Sequence, residues 1–173
     1  MIIETPRLAL RRFTRSDVDL LHALDSDPDV MKFISGGLPG TREQSQAAIE
    51  RILGYYDRFP VLGLWAAELK ESGQFIGWFS LKPLPGTEEI EIGYRLFKRH
   101  WGRGYATEGA RRMVQRGFAE ANLRRVVGIT HPDNKASQHV LEKAGLRYER
   151  RMDFTSPMDG ITRPVDLFAA NRE

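Results

Sequence analysis

The chain has 173 residues, 41% of them apolar, which is enough for a substantial buried core and too apolar for a disordered polymer. It has no cysteine, which excludes disulfides, thiolate metal centres and cysteine nucleophiles, and suggests a reducing, cytoplasmic setting. Lys plus Arg total 26 against 23 Asp plus Glu, and a net charge of +3 is too mild to dictate a partner.

Taken in order, the opening MIIETPRLALRRF lacks a basic stretch followed by an apolar one, so no signal peptide is expected. No run of eighteen apolar residues occurs anywhere, so no membrane span is expected either. Arg7 to Phe13 alternates apolar and basic residues as a half-buried strand does. Ser16 and Asp17 can cap a short helix carrying Val18, Leu20, Leu21 and Leu24, with Pro28 as its stop. Phe33 to Gly40 reads as a loop. Thr41 and Gln44 then match a capping box, predicting a helix to about Arg58 that buries Ile49, Ile52, Leu53 and Tyr56.

Strands follow over Leu64–Lys70, Gln74–Lys82 and Glu88–Phe97, joined by turns at Glu71-Ser72-Gly73 and Leu84-Pro85-Gly86-Thr87, which makes an antiparallel meander. From Gly104 a helix is predicted with Ala106, Ala110, Met113, Val114, Gly117, Phe118 and Ala121 on one apolar face. Arg124–Thr130 is a further strand, so strand, helix and strand imply a parallel crossover. Asp133 or Asn134 caps a helix that Gly145 ends. Leu146–Phe154 and Arg163–Ala169 are two strands joined around Asp159-Gly160. Without a repeat or linker, residues 1–173 are expected to form one α+β domain with a mixed, mostly antiparallel sheet.

The organising stretch is Ile90 to Ala121, where a strand breaks at Arg99-His100-Trp101-Gly102-Arg103-Gly104-Tyr105-Ala106 and continues as a helix. Amides at a helix mouth are unpaired donors with partial positive charge, and glycines let a phosphate approach them. Arg99, Arg103, Arg111, Arg112, Arg116, Arg124 and Arg125 crowd this third of the chain. They are either a solvated face or the surroundings of an anionic ligand.

Arg99, Gly102 and Gly104 in the pattern R-x-x-G-x-G resemble the acetyl-CoA pyrophosphate motif of the GNAT N-acetyltransferases. The stretches EIGYRLFKRHWGRGYATEGAR and RVVGITHPDNKASQHVLEKAGLRYE, the opening ETPRLALRRF and the Asp159-Gly160 turn resemble the RimJ/RimL-type branch, named for ribosomal-protein N-terminal acetyltransferases. The strong part of the resemblance covers Glu89 to Tyr148. It implies that the two parallel strands splay apart and that flanking helices frame the gap. The pantetheine arm of acetyl-CoA would lie in that gap, paired with the strand backbone around Tyr94, Leu96 and Phe97. The pyrophosphate would take amides of Gly102, Arg103, Gly104, Tyr105, Ala106 and Thr107. Asn134 would meet the pantetheine from the other side, its alternative being a plain helix cap.

The implied reaction is attack of a primary amine on a thioester within a ternary complex. Such an amine is protonated at neutral pH and needs a base. Glu91, on the same strand face as Gly93 and Arg95, is the candidate, acting through water; the alternative is an ion pair with Arg95 or a surface arginine. A strand amide near Leu96 could meet the oxyanion. Many family members place a thiol-protonating tyrosine where this chain has Leu141. Ser137, one turn earlier, is therefore the candidate for the sulfur, unless it merely leaves room for it; Tyr94, Tyr105 and Tyr148 are further phenols.

His22, His100, His131 and His139 lack metal-ligand spacing, so no metal is expected, and His131, Asp133 and Ser137 make a hydrolase triad only on paper. Glu108 is read as a complement to the helix dipole, and Lys143 as a solvated residue within reach of a CoA phosphate. The acceptor side is expected between the Phe33–Gly40 loop, the two N-terminal helices and the Thr155–Thr162 turn. Scattered Asp25, Asp27, Asp29, Asp153 and Asp159 leave a cationic peptide or amine open. A protein N-terminus and a small molecule both fit as acceptor, and a monomer or homodimer as the assembly. No nucleic acid or membrane partner is expected. The competing classes are a non-catalytic acyl-CoA-binding domain and a nucleic-acid binder suggested by the pI near 9.3.

Overall fold

Alternation along Leu8–Arg12 buries Leu8 and Leu10 on one side and turns the half-buried Ala9 and Arg11 to the other. The computed structural model describes residues 2–173 and places this strand near one edge of an eight-stranded sheet. In chain order the strands are β1 Ile2–Glu4, β2 Leu8–Arg12, β3 Gly63–Leu69, β4 Phe75–Pro83, β5 Ile90–Leu96, β6 Arg125–Thr130, β7 Arg147–Thr155 and β8 Thr162–Asn171. The helices are α1 Val18–Asp25, α2 Pro28–Met31, α3 Arg42–Arg58, α4 Tyr105–Ala119 and α5 Lys135–Lys143. The sheet order is β1-β2-β3-β4-β5-β6-β8-β7, antiparallel throughout except for the parallel pair β5 and β6. The α+β, mostly antiparallel architecture expected from sequence is therefore the one observed.

Helices cover both faces. Trp65 and Ala67 of β3 join the core cluster of α4 and α5, whereas Leu64 and Ala66 join that of α1 to α3. Successive strand residues point to opposite faces, so the two helical groups lie on opposite sides of the sheet. Among the described residues, β5 and β6 pair in register only at Glu91 with Val127. Beyond it the strands diverge, which leaves a gap at the centre of the sheet.

Three local readings are corrected. Pro28 does not stop a helix but opens α2, with Asp27 as its cap accepting from the amides of Asp29 and Val30 at 2.9 and 3.4 Å; proline suits the first helical position because its missing N–H has no partner there anyway. The first helix is entered through a 3-10 turn, Arg15–Asp17, capped by Thr14; Asp17 is the N-cap residue of α1 as expected, though without a side-chain capping bond, and Ser16 is not a cap. Asp17 accepts from the Thr14 amide at 2.7 Å and from both terminal nitrogens of Arg11 at 2.8 and 2.9 Å. Leu20 is 38% exposed and does not belong to the buried face of α1. The Thr41–Gln44 capping box forms as expected, at 2.8 and 3.2 Å.

Candidate active site

The break between β5 and α4 is held open by its backbone. Gly102 and Gly104 have φ of +71° and +81°, a left-handed region that costs other residues strain. Gly104 is the N-cap of α4 and has no side chain to cap it, and the first intrahelical bond runs from the Glu108 amide to the Gly104 carbonyl at 3.0 Å. The amides of Tyr105, Ala106 and Thr107 therefore lack intrahelical partners.

The turn is pinned from outside by the N-terminal segment. Glu108 accepts from the Thr5 hydroxyl at 2.6 Å, the Arg7 amide at 2.8 Å and the Arg7 Nε at 2.6 Å. Arg7 also donates to the Arg103 carbonyl at 3.0 Å and lies 4.4 Å from the Tyr105 ring centroid. Burial pushes the Glu108 carboxyl up, but the bonds from Thr5 and Arg7 outweigh it and hold the group below its ordinary value. Glu108 thus does more than complement a dipole: it ties β1 and β2 to the mouth of α4.

A cavity of about 990 Å³ runs from this turn through the gap in the sheet. Of the residues singled out from sequence, Glu91, Tyr94, Leu96, Gly102, Gly104, Tyr105, Ala106, Thr107, Asn134 and Ser137 line it. Phe97, Arg99 and Arg103 do not. Phe97 packs edge-on against Phe75 at 6.1 Å, Arg99 stacks over Phe97 at 4.2 Å, and Arg103 is exposed. The Leu96 carbonyl, expected to be free for pairing, accepts from the Trp101 indole at 2.9 Å. The Phe97 amide is spent on the Ile76 carbonyl at 3.0 Å. By strand alternation the Leu96 amide then points the other way, toward the gap.

Tyr94 crosses to α5. Its hydroxyl lies 2.8 Å from the Ser137 Oγ and 3.3 Å from the Ser137 carbonyl. Burial pushes the phenol up to about 12, so it is protonated at neutral pH. Asn134 caps α5 by accepting from the Ser137 amide at 3.1 Å, which is its plain structural role, and its carboxamide nitrogen has no partner among the described residues. Leu141, 2% exposed, fills the space beside Gly128.

Glu91 is 9% exposed and pairs with Lys82 across β4 and β5, not with Arg95. Burial raises its carboxyl above the ordinary carboxylate value, against the opposing pull of Lys82. Arg95 instead donates to Asp25 at 2.6 Å. His100 is held neutral, its value lowered first by burial and then by Arg99 and Arg103. Among the described residues no group of three His, Asp or Glu is placed to hold a metal, and no helix is long and apolar enough to cross a membrane. The paper triad does not assemble: Ser137 faces Tyr94, and His131 Nδ1 is 3.9 Å from Asp133.

Residues 7–147 match the family described as the acetyltransferase (GNAT) domain. The chain belongs to the GNAT acetyltransferase family. The FsC-acetyl coenzyme A-N(2)-transacetylase of Aspergillus fumigatus is 32% identical to this GNAT chain, over 99% of it and 76% of the fungal protein. A GNAT-family acetyltransferase of Bacillus anthracis superposes with a TM-score of 0.82 at 27% identity, over 99% of this chain and 98% of that one. A RimL ribosomal L7/L12 alpha-N-protein acetyltransferase solved with coenzyme A shares the fold, with a TM-score of 0.81 at 19% identity, over 99% and 98%. The resemblance of the sequence to the GNAT N-acetyltransferases therefore holds: this GNAT chain is an N-acetyltransferase, from a family that uses acetyl-CoA.

Proposed function

We propose that this GNAT enzyme acetylates a primary amine, on a peptide N-terminus or a small molecule, within a ternary complex. The observation that carries this reading is one continuous cavity that joins the unpaired amides of α4 to Glu91 and to the Tyr94–Ser137 pair. The residues fit acetyl-CoA. The amides of Tyr105, Ala106 and Thr107 and the glycine backbone before them suit a pyrophosphate, which accepts hydrogen bonds and is drawn to a helix mouth. The gap beside Tyr94 and Leu96 suits an extended amide-bearing arm, and Asn134, which lines the same cavity, has no partner for its carboxamide nitrogen among the described residues. When bound, acetyl-CoA supplies an acetyl group activated as a thioester.

In this reading Glu91 takes the proton from the acceptor ammonium, directly or through water. Its raised value brings it nearer to the amine it must deprotonate. The Leu96 amide, aimed at the gap, is placed to bond a developing oxyanion. Tyr94, kept protonated by burial and oriented by Ser137, supplies a proton on the opposite side of the strand. Tyr94 thereby takes the acid role for which sequence pointed first to Ser137, and Ser137 positions it. The test is calorimetric titration with acetyl-CoA, followed by free-thiol release with a panel of amines and of peptides with varied first residues. Binding, with release that depends on an amine, is the expected result. The absence of either rejects the proposal.

A further inference from the structure

The floor of the cavity on the α1–α3 side is a ladder of cross-strand pairs: Lys82 opposite Glu91, Ser80 opposite Gly93 and Trp78 opposite Arg95. All of these residues line the cavity. Glu91 and Arg95, four positions apart, stand about 13 Å from each other along the strand at ~3.3 Å per residue. The small Ser80–Gly93 rung leaves a trough between them.

The far end of this trough is a fixed cation. Arg95 donates through Nη1 to Asp25, its guanidinium carbon lies 5.2 Å from the centroid of the Trp78 ring, and its side chain is only 12% exposed. Its Nε is nevertheless buried without a hydrogen-bond partner. An arginine has five N–H donors; the Nε of Arg95 is closed off from the cavity, Nη1 is taken by Asp25, and Nη2 is the donor left for a further acceptor. Arg51 of α3 lines the same cavity, is exposed, and has no acid partner among the described residues. Four of the five acids that sequence left open for attracting a cation are already engaged, and the fifth, Asp153, is exposed on β7 and does not line the cavity. Asp25 holds Arg95, Asp29 holds Lys98 at 2.8 Å, Asp159 holds Arg163 at 2.6 Å, and Asp27 caps α2. Phe33, Tyr55, Trp78, Phe154 and Met158 give the walls an apolar, aromatic character.

We propose that the acceptor is an amine that also carries an anionic group: its amino end meets Glu91, an apolar body lies over the Ser80–Gly93 trough, and the anion is bound by Arg95 and Arg51. This rests on the acetyl-transfer reading above and narrows its acceptor. A neutral amine leaves the remaining Arg95 and Arg51 donors without an anion, and a diamine sets a second positive charge against them.

The test uses matched acceptors: aminocaproate, hexylamine and hexamethylenediamine as small molecules, and glycyl-phenylalanine with its C-terminal amide as peptides. Thiol release gives kcat/KM for each. The carboxylate member of each set is expected to exceed its neutral partner by about tenfold, the scale of one charge-assisted hydrogen bond. The diamine is expected to be the poorest. Arg95→Gln and Arg51→Gln should both bring the carboxylate-to-neutral ratio toward one. Arg51→Gln is included because Arg95→Gln strips Asp25 of its partner and endangers the fold. A wild-type ratio near one, a preference for the diamine, or a ratio unchanged in Arg51→Gln overturns the inference while thiol release by neutral amines keeps the transfer reading intact. Thiol release in no arm overturns both. A preference confined to either the small molecules or the peptides supports the inference and identifies the source of the anion.

Discussion

Glu91 and Tyr94 belong to one strand and face opposite ways. Glu91 shares a face with Gly93 and Arg95 toward α1–α3, whereas Tyr94 reaches Ser137 of α5 on the other side. A base and an acid on opposite faces of an intact sheet could not serve one reaction; the gap past Glu91–Val127 lets them line a single cavity. With its carboxyl raised by burial, Glu91 should give kcat/KM an acidic limb lying above the ordinary carboxylate range. Glu91→Gln is expected to lower the rate at neutral pH by about a hundredfold, typical of a lost general base, and to abolish that limb. A limb that survives the substitution assigns the proton to another group. At the acid end, Tyr94→Phe should slow turnover about tenfold with little change in acetyl-CoA affinity, and Ser137→Ala should cost less because the phenol remains. Equal losses in the two variants, measured by thiol release, would place the proton on Ser137 instead.

At the scale of elements, the strand–turn–helix from Ile90 onward was legible because its signals are local: a period of two, then paired glycines, then a period near four. The capping box at Thr41 and the meander of β3 to β5 were legible for the same reason. What stayed hidden depends on partners distant in sequence. Glu108 reads as a dipole complement until Thr5 and Arg7, about a hundred positions away, are seen to bind it. Lys82 as the partner of Glu91 follows from register, which a sequence without an alignment does not print. Pro28 is ambiguous locally, since proline both ends helices and begins them. The turn itself yields a test. A valine at Gly104 must adopt φ near +81° with its Cβ about 3.3 Å from the Arg7 Nη2. Strain of roughly 1–3 kcal/mol is expected, together with at least a tenfold loss of acetyl-CoA affinity as the side chain bars the amides. Calorimetry reads the affinity and thermal melting the strain. Unchanged affinity in a folded variant moves the pyrophosphate elsewhere.

For the molecule as a whole, the ionised groups that hold the fold and the one proposed for chemistry respond to pH with opposite sign. Burial pushes Asp17, Glu108 and Glu120 up, yet their hydrogen bonds and ion pairs outweigh it and hold them below their ordinary values. A lowered carboxylate binds protons more weakly in the native state, so its stabilisation is present above the unfolded value and lost as pH falls through the folded one. Glu91 is raised above 4.5, so the native state binds its proton more tightly than the unfolded chain does. Its contribution is greatest below that value and is lost as pH climbs through the folded one. Stability against urea should therefore pass through a maximum on the acidic side of neutrality, falling steeply below about pH 4 as the three lowered carboxylates protonate, with the similarly lowered Glu50, Glu149 and Asp159, and more gently above the maximum as Glu91 ionises. Glu91→Gln should flatten the gentle alkaline slope and leave the steep acidic one. Glu108→Gln should lessen the acidic slope without removing it and leave the alkaline one, with a loss of roughly 1–3 kcal/mol at neutral pH because the buried Thr5 hydroxyl and the Arg7 amide lose a charged acceptor. Urea titrations of both variants across this range separate the two slopes. An alkaline slope that persists without Glu91 would mean that its burial does not strain the native state, and the raised base would lose its support.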